Sequence, residues 1–202
     1  AAFIVISNDD DPQKEYLQLL QKYCRDLADH GFVVAAPDLF DGRQPKTVAQ
    51  ARYLRSLRRT EPIYKVLTRN IFELLVDTAV NSKEIGVIGF SMGGHWAVWL
   101  SQQPQLPIAS TVLYYAARGG SFSKSHSAFL AHYAERDEWV SQAAKARMAK
   151  AIQSAGLSLE SYTYAGTEHW FAESGGNTKS NRVATQLAFE RTIAHLSRTL
   201  TR

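Results

Sequence analysis

Residues 84–100 read Glu84-Ile85-Gly86-Val87-Ile88-Gly89-Phe90-Ser91-Met92-Gly93-Gly94-His95-Trp96-Ala97-Val98-Trp99-Leu100. The opening of this stretch is short, apolar and partly β-branched, the composition of a buried strand. From Met92 the chain reads as a helix. Ser91 stands among glycines at the turn between them, the arrangement of a nucleophile elbow. So tight a turn forces the serine into an unfavourable backbone conformation. Gly89 and Gly93, two before and two after it, must be small to keep strand and helix from colliding. The helix N-terminus points free N–H groups at the reaction centre, ready to bind an oxyanion.

Strand and helix signals alternate on both sides of this segment. Phe3 to Ser7 reads as a strand, and Asn8-Asp9-Asp10-Asp11-Pro12 as a loop that starts a helix reaching about His30, where Gly31 stops it. Phe32 to Ala36 is a second strand. Residues 47–60 and 63–80 read as two helices separated by Pro62. After Ser91 the helix ends before Pro104. Strands follow at Ile108–Ala116, Ala128–Ala134 and Leu157–Tyr164, with a helix from Val140 to Ala155 and a last one from Arg182 to Leu200. Six strands with intervening helices specify an α/β fold, a mostly parallel sheet covered on both faces. In such sheets the chemistry lies at the carboxyl ends of the strands.

The 202 residues, 45% of them hydrophobic, suit one domain over residues 1–202. No apolar run approaches the roughly 18 residues of a membrane span. Ala1 to Ser7 lacks the basic and long apolar regions of a signal peptide, so any upstream targeting sequence is expected to be absent or already removed. The single cysteine, Cys24, excludes an internal disulfide and fits a cytoplasmic location. It shares an apolar stripe with Leu17, Leu20 and Leu27, as a packed thiol does. A net charge of +4 is mild, and no nucleic-acid module is present. Arg52, Arg55 and Arg59 share one helix face beside Arg58. That face is either simply solvated, a rim attracting anionic substrates, or a patch for anionic lipid.

A serine hydroxyl is a weak nucleophile at neutral pH and needs a histidine base, itself oriented by a carboxylate. On elbows of this kind the chain order is serine, acid, histidine. Asp137 follows the fifth strand in Ala134-Glu135-Arg136-Asp137-Glu138-Trp139-Val140, and His169 follows the sixth in Gly166-Thr167-Glu168-His169-Trp170-Phe171. Glu135 and Glu138 compete for the acid role, and Asp137 can also cap the helix that follows. Among the other histidines, His30 sits at a helix end, His195 inside the last helix, and His126 and His132 within one strand; His95 lies one turn beyond Ser91. No set of them has metal-ligand spacing, and no metal or cofactor is expected.

The chain resembles the dienelactone hydrolase family of α/β-hydrolases along nearly all its length. The segments that carry the likeness are His30-Gly31-Phe32-Val33-Val34-Ala35-Ala36-Pro37-Asp38-Leu39-Phe40, Ile85 to Gly94, Ala134 to Asp137, and Glu168-His169-Trp170-Phe171. The resemblance implies a minimal cap and cofactor-free cleavage of esters or lactones; measured against the family, the sheet is expected to be shortened at its leading edge. The chain departs from the family in two places. Members that cleave dienelactone carry cysteine where this chain has Ser91, and an arginine for the substrate carboxylate where it has Glu173.

The expected activity is therefore a serine hydrolase acting on a small carboxylic ester or lactone through a Ser91-His169-Asp137 triad and an acyl-enzyme. The Met92 N–H and one from Asn8, Asp9 or Asp10 would form the oxyanion hole. Trp170 and Trp139 would wall the substrate pocket or pack around its loops, with Tyr115 and Arg118 as further substrate contacts. A thioesterase or amidase would use the same triad, and a binding module would keep the pocket without the chemistry.

Overall fold

The computed structural model describes residues 2–6, 14–39, 50, 53, 60–173 and 178–200. Six strands, β1 (Ala2–Ile6), β2 (Val33–Ala35), β3 (Ile85–Phe90), β4 (Ile108–Tyr114), β5 (Ala128–Arg136) and β6 (Leu159–Glu168), form one sheet in the order β2-β1-β3-β4-β5-β6. Every neighbouring pair is parallel. The helices are α1 (Lys14–Asp29), α2 (Thr60–Val76), α3 (Met92–Ser101), α4 (Gln142–Ser154) and α5 (Lys179–Leu200).

Because successive side chains of a strand face opposite ways, an uninterrupted apolar run feeds two cores at once. Ile4, Ile6, Ile85 and Val87 face α2, α3 and α4, where Leu67, Ile71, Ala97, Val98, Met148 and Ile152 meet them. Val5, Ile88, Phe90, Val112 and Leu130 face α1 and α5, against Leu27, Ala188 and Leu196. This is the doubly covered α/β sheet that the alternation implied. Cys24 is half-buried against the second core.

Pro62 does not separate two helices. It lies in the first turn of α2, which starts at Thr60, where a missing N–H breaks no helical bond. Most of the helix expected over residues 47–60 lies outside the described residues, as do Arg52, Arg55, Arg58 and Arg59.

The core beside α1 and α5 contains a chain of buried polar groups. Tyr23 and Tyr114 hydroxyls lie 3.2 Å apart, Tyr114 and Thr192 hydroxyls 2.9 Å, Thr192 Oγ1 and His132 Nε2 3.0 Å, and His132 Nδ1 and the Tyr164 hydroxyl 2.8 Å. Burial, with repulsion from Arg191 and His195, pushes the His132 pKa down to about 3. The ring is therefore neutral, one nitrogen donating and the other accepting. His132 is structural here, on the face of β5 away from Ser91's helix.

Candidate active site

Ser91 follows β3 directly and adopts φ 49, ψ −117, a left-handed conformation that strains a residue with a Cβ by about 1–3 kcal/mol. The turn is held from both sides: Ser91 N–H donates to Tyr114 O at 3.0 Å, and Gly94 N–H to Ser91 O at 3.0 Å. A Cβ on Gly89 would meet Gly94 Cα at 2.5 Å and Gly93 O at 2.6 Å, so only glycine fits there. A Cβ on Gly94 would overlap the Ala116 methyl carbon. Gly94 thus sets how closely α3 approaches the segment after β4, a role the reading of the turn did not assign it.

Asp137 and His169 are each the first residue beyond their strands. Both strands run further than the sequence pattern suggested. β6 continues four residues past Tyr164, through Gly166 at φ 71, whose N–H donates to the Glu135 carboxylate at 2.9 Å. The β5–β6 register shifts between Ala134 and Arg136, which leaves Arg136 opposite Glu168. Asp137 and His169 thereby emerge side by side. After His169 the chain turns tightly, Phe171 N–H donating to Glu168 O and Glu173 N–H to Trp170 O. Phe171 is buried beneath, and its carbonyl accepts from Thr185 Oγ1 of α5.

Three of the residues picked out from the sequence meet in one line of hydrogen bonds. Ser91 Oγ lies 2.9 Å from His169 Nε2, and His169 Nδ1 lies 2.9 Å from Asp137 Oδ1. Asp137 Oδ1 also accepts the N–H groups of Trp139 at 2.9 Å and Val140 at 3.0 Å. Asp137 is thus fixed in a turn, and the cap of α4 is Ser141, whose side chain accepts from Ala144 N–H. The His169 and Asp137 side chains are 5% and 1% exposed. Burial pushes the Asp137 pKa up. The hydrogen bond and charge of His169, then the two backbone N–H groups, outweigh it and hold the carboxyl below its ordinary range. An ionised Asp137 only accepts, so the Nδ1 proton belongs to His169 and Nε2 is left to accept from the Ser91 hydroxyl.

A cavity of about 280 Å³ opens beside this line, lined by Arg136, Glu138, Trp139, Glu168, His169 and Trp170. The Trp139 and Trp170 rings lie 5.7 Å apart and flank the His169 ring at 6.1 and 4.6 Å. Both are exposed, at 62% and 37%. Arg136 and Glu168 form an ion pair at 3.4 Å on the rim, brought there by their places beside Asp137 and His169 at the strand ends. Tyr115 and Arg118 do not line this cavity. Tyr115 is fully buried, its ring 5.0 Å from His169 and its hydroxyl donating to Glu173 at 2.5 Å; it packs behind the imidazole. Arg118 donates to His95 O at 2.8 Å. Asn8, Asp9 and Asp10, named for the second oxyanion donor, lie outside the described residues. Met92 opens α3, at the N-terminus that faces Ser91.

Among the described residues, the non-glycine positions with positive φ are Ser91, Tyr115 and Trp170. All three border His169, so the backbone strain is concentrated at this one place. No group of three or more His, Cys, Asp or Glu among the described residues is placed to hold a metal ion, and no helix among them is long and apolar enough to cross a membrane.

Comparison with known proteins agrees with this architecture. The dienelactone hydrolase family model matches residues 16–200. A Bradyrhizobium protein described as "Probable 2-oxo-3-(5-oxofuran-2-ylidene)propanoate lactonase" is 25% identical over 185 residues, spanning 85% of this chain and 74% of its own. Two solved structures share the fold. A dienelactone hydrolase-like promiscuous phosphotriesterase from metagenomic libraries superposes with a TM-score of 0.80 at 14% identity, covering 98% of this chain and 86% of that one. A propionate-bound thermophilic esterase from Thermogutta terrifontis gives 0.73 at 16% identity, covering 100% and 85%.

Proposed function

This chain belongs to the dienelactone hydrolase family, and from that premise we propose that it cleaves small carboxylic esters or lactones with Ser91 as nucleophile, His169 as base and Asp137 as the orienting acid. As a family member it is a carboxylic ester hydrolase; the residues and the course of the reaction are our reading. The observation that carries it is the hydrogen-bonded line from Ser91 Oγ through His169 to Asp137 Oδ1, starting from a serine on a strained turn.

In this mechanism Ser91 Oγ attacks the acyl carbon while its proton passes to His169 Nε2. Asp137 stabilises the imidazolium through the Nδ1–H bond. The oxyanion of the tetrahedral intermediate takes the Met92 N–H at the start of α3, where the helix dipole adds to it. The sequence assigns the second N–H to Asn8, Asp9 or Asp10, which lie outside the described residues. The imidazolium then protonates the departing alkoxide. Water, deprotonated by His169, releases the acid and restores Ser91.

Trp139 and Trp170 form the walls for the substrate's apolar or aromatic part. Glu173, held by the Tyr115 hydroxyl behind His169, supplies no positive charge for a substrate carboxylate. Neutral esters are therefore the favoured substrates. Ser91→Ala is expected to lower p-nitrophenyl ester turnover by several orders of magnitude with the fold intact. A fluorophosphonate should label Ser91 alone. A variant that keeps most of its activity, or label on another residue, overturns the assignment.

A further inference from the structure

Lys145 is the one buried lysine or arginine among the described residues. It projects from the first turn of α4 toward the end of β5. Its Nζ lies 4.6 Å from the centroid of the Tyr133 ring and 3.5 Å from Ala134 O, a long and single hydrogen bond. The ammonium has three donors, and its contacts are one long hydrogen bond to a carbonyl and the face of the Tyr133 ring. Ala134 stands three residues before Asp137, on the strand end that delivers the acid. Asp137 is incompletely satisfied as well. Its Oδ1 takes three donors, whereas Oδ2 is buried with no hydrogen-bond partner. A carboxylate with an unpartnered oxygen and an ammonium with one long hydrogen bond thus lie at the same end of β5.

We propose that Lys145 is a positioning residue for Asp137 and His169, its ammonium offsetting the Asp137 charge across the buried end of β5 and fixing the pH range over which the pair keeps Ser91 reactive. The inference rests on the reading of Ser91, His169 and Asp137 given above. Burial lowers the Lys145 pKa, and the Asp137 charge opposes that. Other groups also face this end of β5. Tyr133 lies under the ammonium, and Arg136, Glu138 and Glu168 line the cavity on the far side of His169. Tyr115 comes from the end of β4 and, bonded to it, Glu173 from the turn after β6. Arg118 touches α4 through its N–H, which donates to Met148 Sδ, but its guanidinium is turned to His95 O. None of these replaces a cation on the buried side of the acid.

The sign follows directly. Without the ammonium, the negative charge beside the imidazole is less offset, so the Asp137–His169 pair takes up a proton more readily. The acid limb of the reaction then moves to higher pH. The test is the rate of Ser91 labelling by a fluorophosphonate across pH 4–9, which needs no knowledge of the substrate. Lys145→Met keeps the stem over Tyr133 and removes the charge; its acid-limb midpoint is expected to rise by roughly half a unit or more. Lys145→Arg should return toward the parent value, and Lys150→Met, an exposed lysine of the same helix, should not move it. Lys145→Gln serves if the methionine variant does not fold. A midpoint unchanged in the neutral variant, with Ser91 still labelled, overturns the role of Lys145 alone. Failure of the parent protein to label at Ser91 overturns both readings.

Discussion

Gly94→Ala tests whether the close approach of α3 to the sheet sets the geometry of the elbow. A Cβ at Gly94 would have Gly89 O at 3.5 Å and Leu113 Cδ2 at 3.7 Å, both ordinary contacts, so the overlap falls on the Ala116 methyl alone. Carbon atoms in contact sit about 3.5–4.0 Å apart. Helix and strand-end segment must therefore separate by roughly 1.3–1.8 Å to reach that spacing. Overpacking of this size costs about 1–3 kcal/mol, and alanine returns about 1 kcal/mol in helix propensity. The net loss of stability is then at most about 2 kcal/mol. Activity should suffer far more. α3 carries the Met92 N–H and closes the turn that aims Ser91, and a 1 Å error in such a group costs about 100-fold in rate. The assay pairs the melting temperature with kcat/KM on a p-nitrophenyl ester for Gly94→Ala, Ala116→Gly and the double variant. Removing the Ala116 methyl should restore the double variant to within about tenfold of the parent. A single variant within threefold of the parent, or a double variant no better than the single, refutes the reasoning.

Two further outcomes concern the buried polar chain. Thr192→Val keeps the shape of the side chain and leaves His132 Nε2 and the Tyr114 hydroxyl each short of a partner. At about 1–2 kcal/mol apiece the loss is about 2–4 kcal/mol, a fall of about 4–16 °C in melting temperature for a chain of this length; a calorimetric shift under about 2 °C contradicts it. Acid should weaken the fold earlier than carboxylates alone would. His132 binds its proton near 6.5 when unfolded and near 3 when folded, so the unfolded state holds more protons between those values. Its contribution is full above about 6.5 and declines toward about 3, by up to about 1.4 kcal/mol per pH unit. The depressed Asp137 pKa adds a loss below the usual carboxylate range. Urea midpoints at pH 7, 5.5 and 4.5 read this directly, and a flat profile counts against a neutral buried His132.

The parallel sheet could be read from the sequence because it depends on local periodicity: buried strands leave short apolar runs, and helices between them leave amphipathic ones. The residues that meet at Ser91 could be named for a related reason, since strand ends of a parallel sheet all open on the same side. What could not be read depends on partners distant in sequence. Lys145 looks like any polar residue of a surface helix, and only packing on Tyr133 buries it. The close contact at Gly94 cannot be read locally because its neighbour, Ala116, comes from the segment after β4. Tyr115 lies at the right strand end for a substrate contact, yet its left-handed backbone and its bond to Glu173 turn it inward. The extension of β6 past Tyr164 needed Gly166 and the Glu135 carboxylate acting together.

The order of the strands divides the site mechanically. Ser91 leaves β3, which has β1 and β4 on its flanks, and Asp137 leaves β5, which has β4 and β6. His169 leaves β6, an outermost strand with β5 as its single neighbour. Opening of a protein begins where backbone pairing is one-sided. A fluctuation that lifts the end of β6 carries His169 away and leaves Ser91 and Asp137 in place. On this arrangement, warming is expected to part His169 from Ser91 and Asp137 before the sheet melts. On cooling, β6 has only to pair again along one edge for the site to re-form.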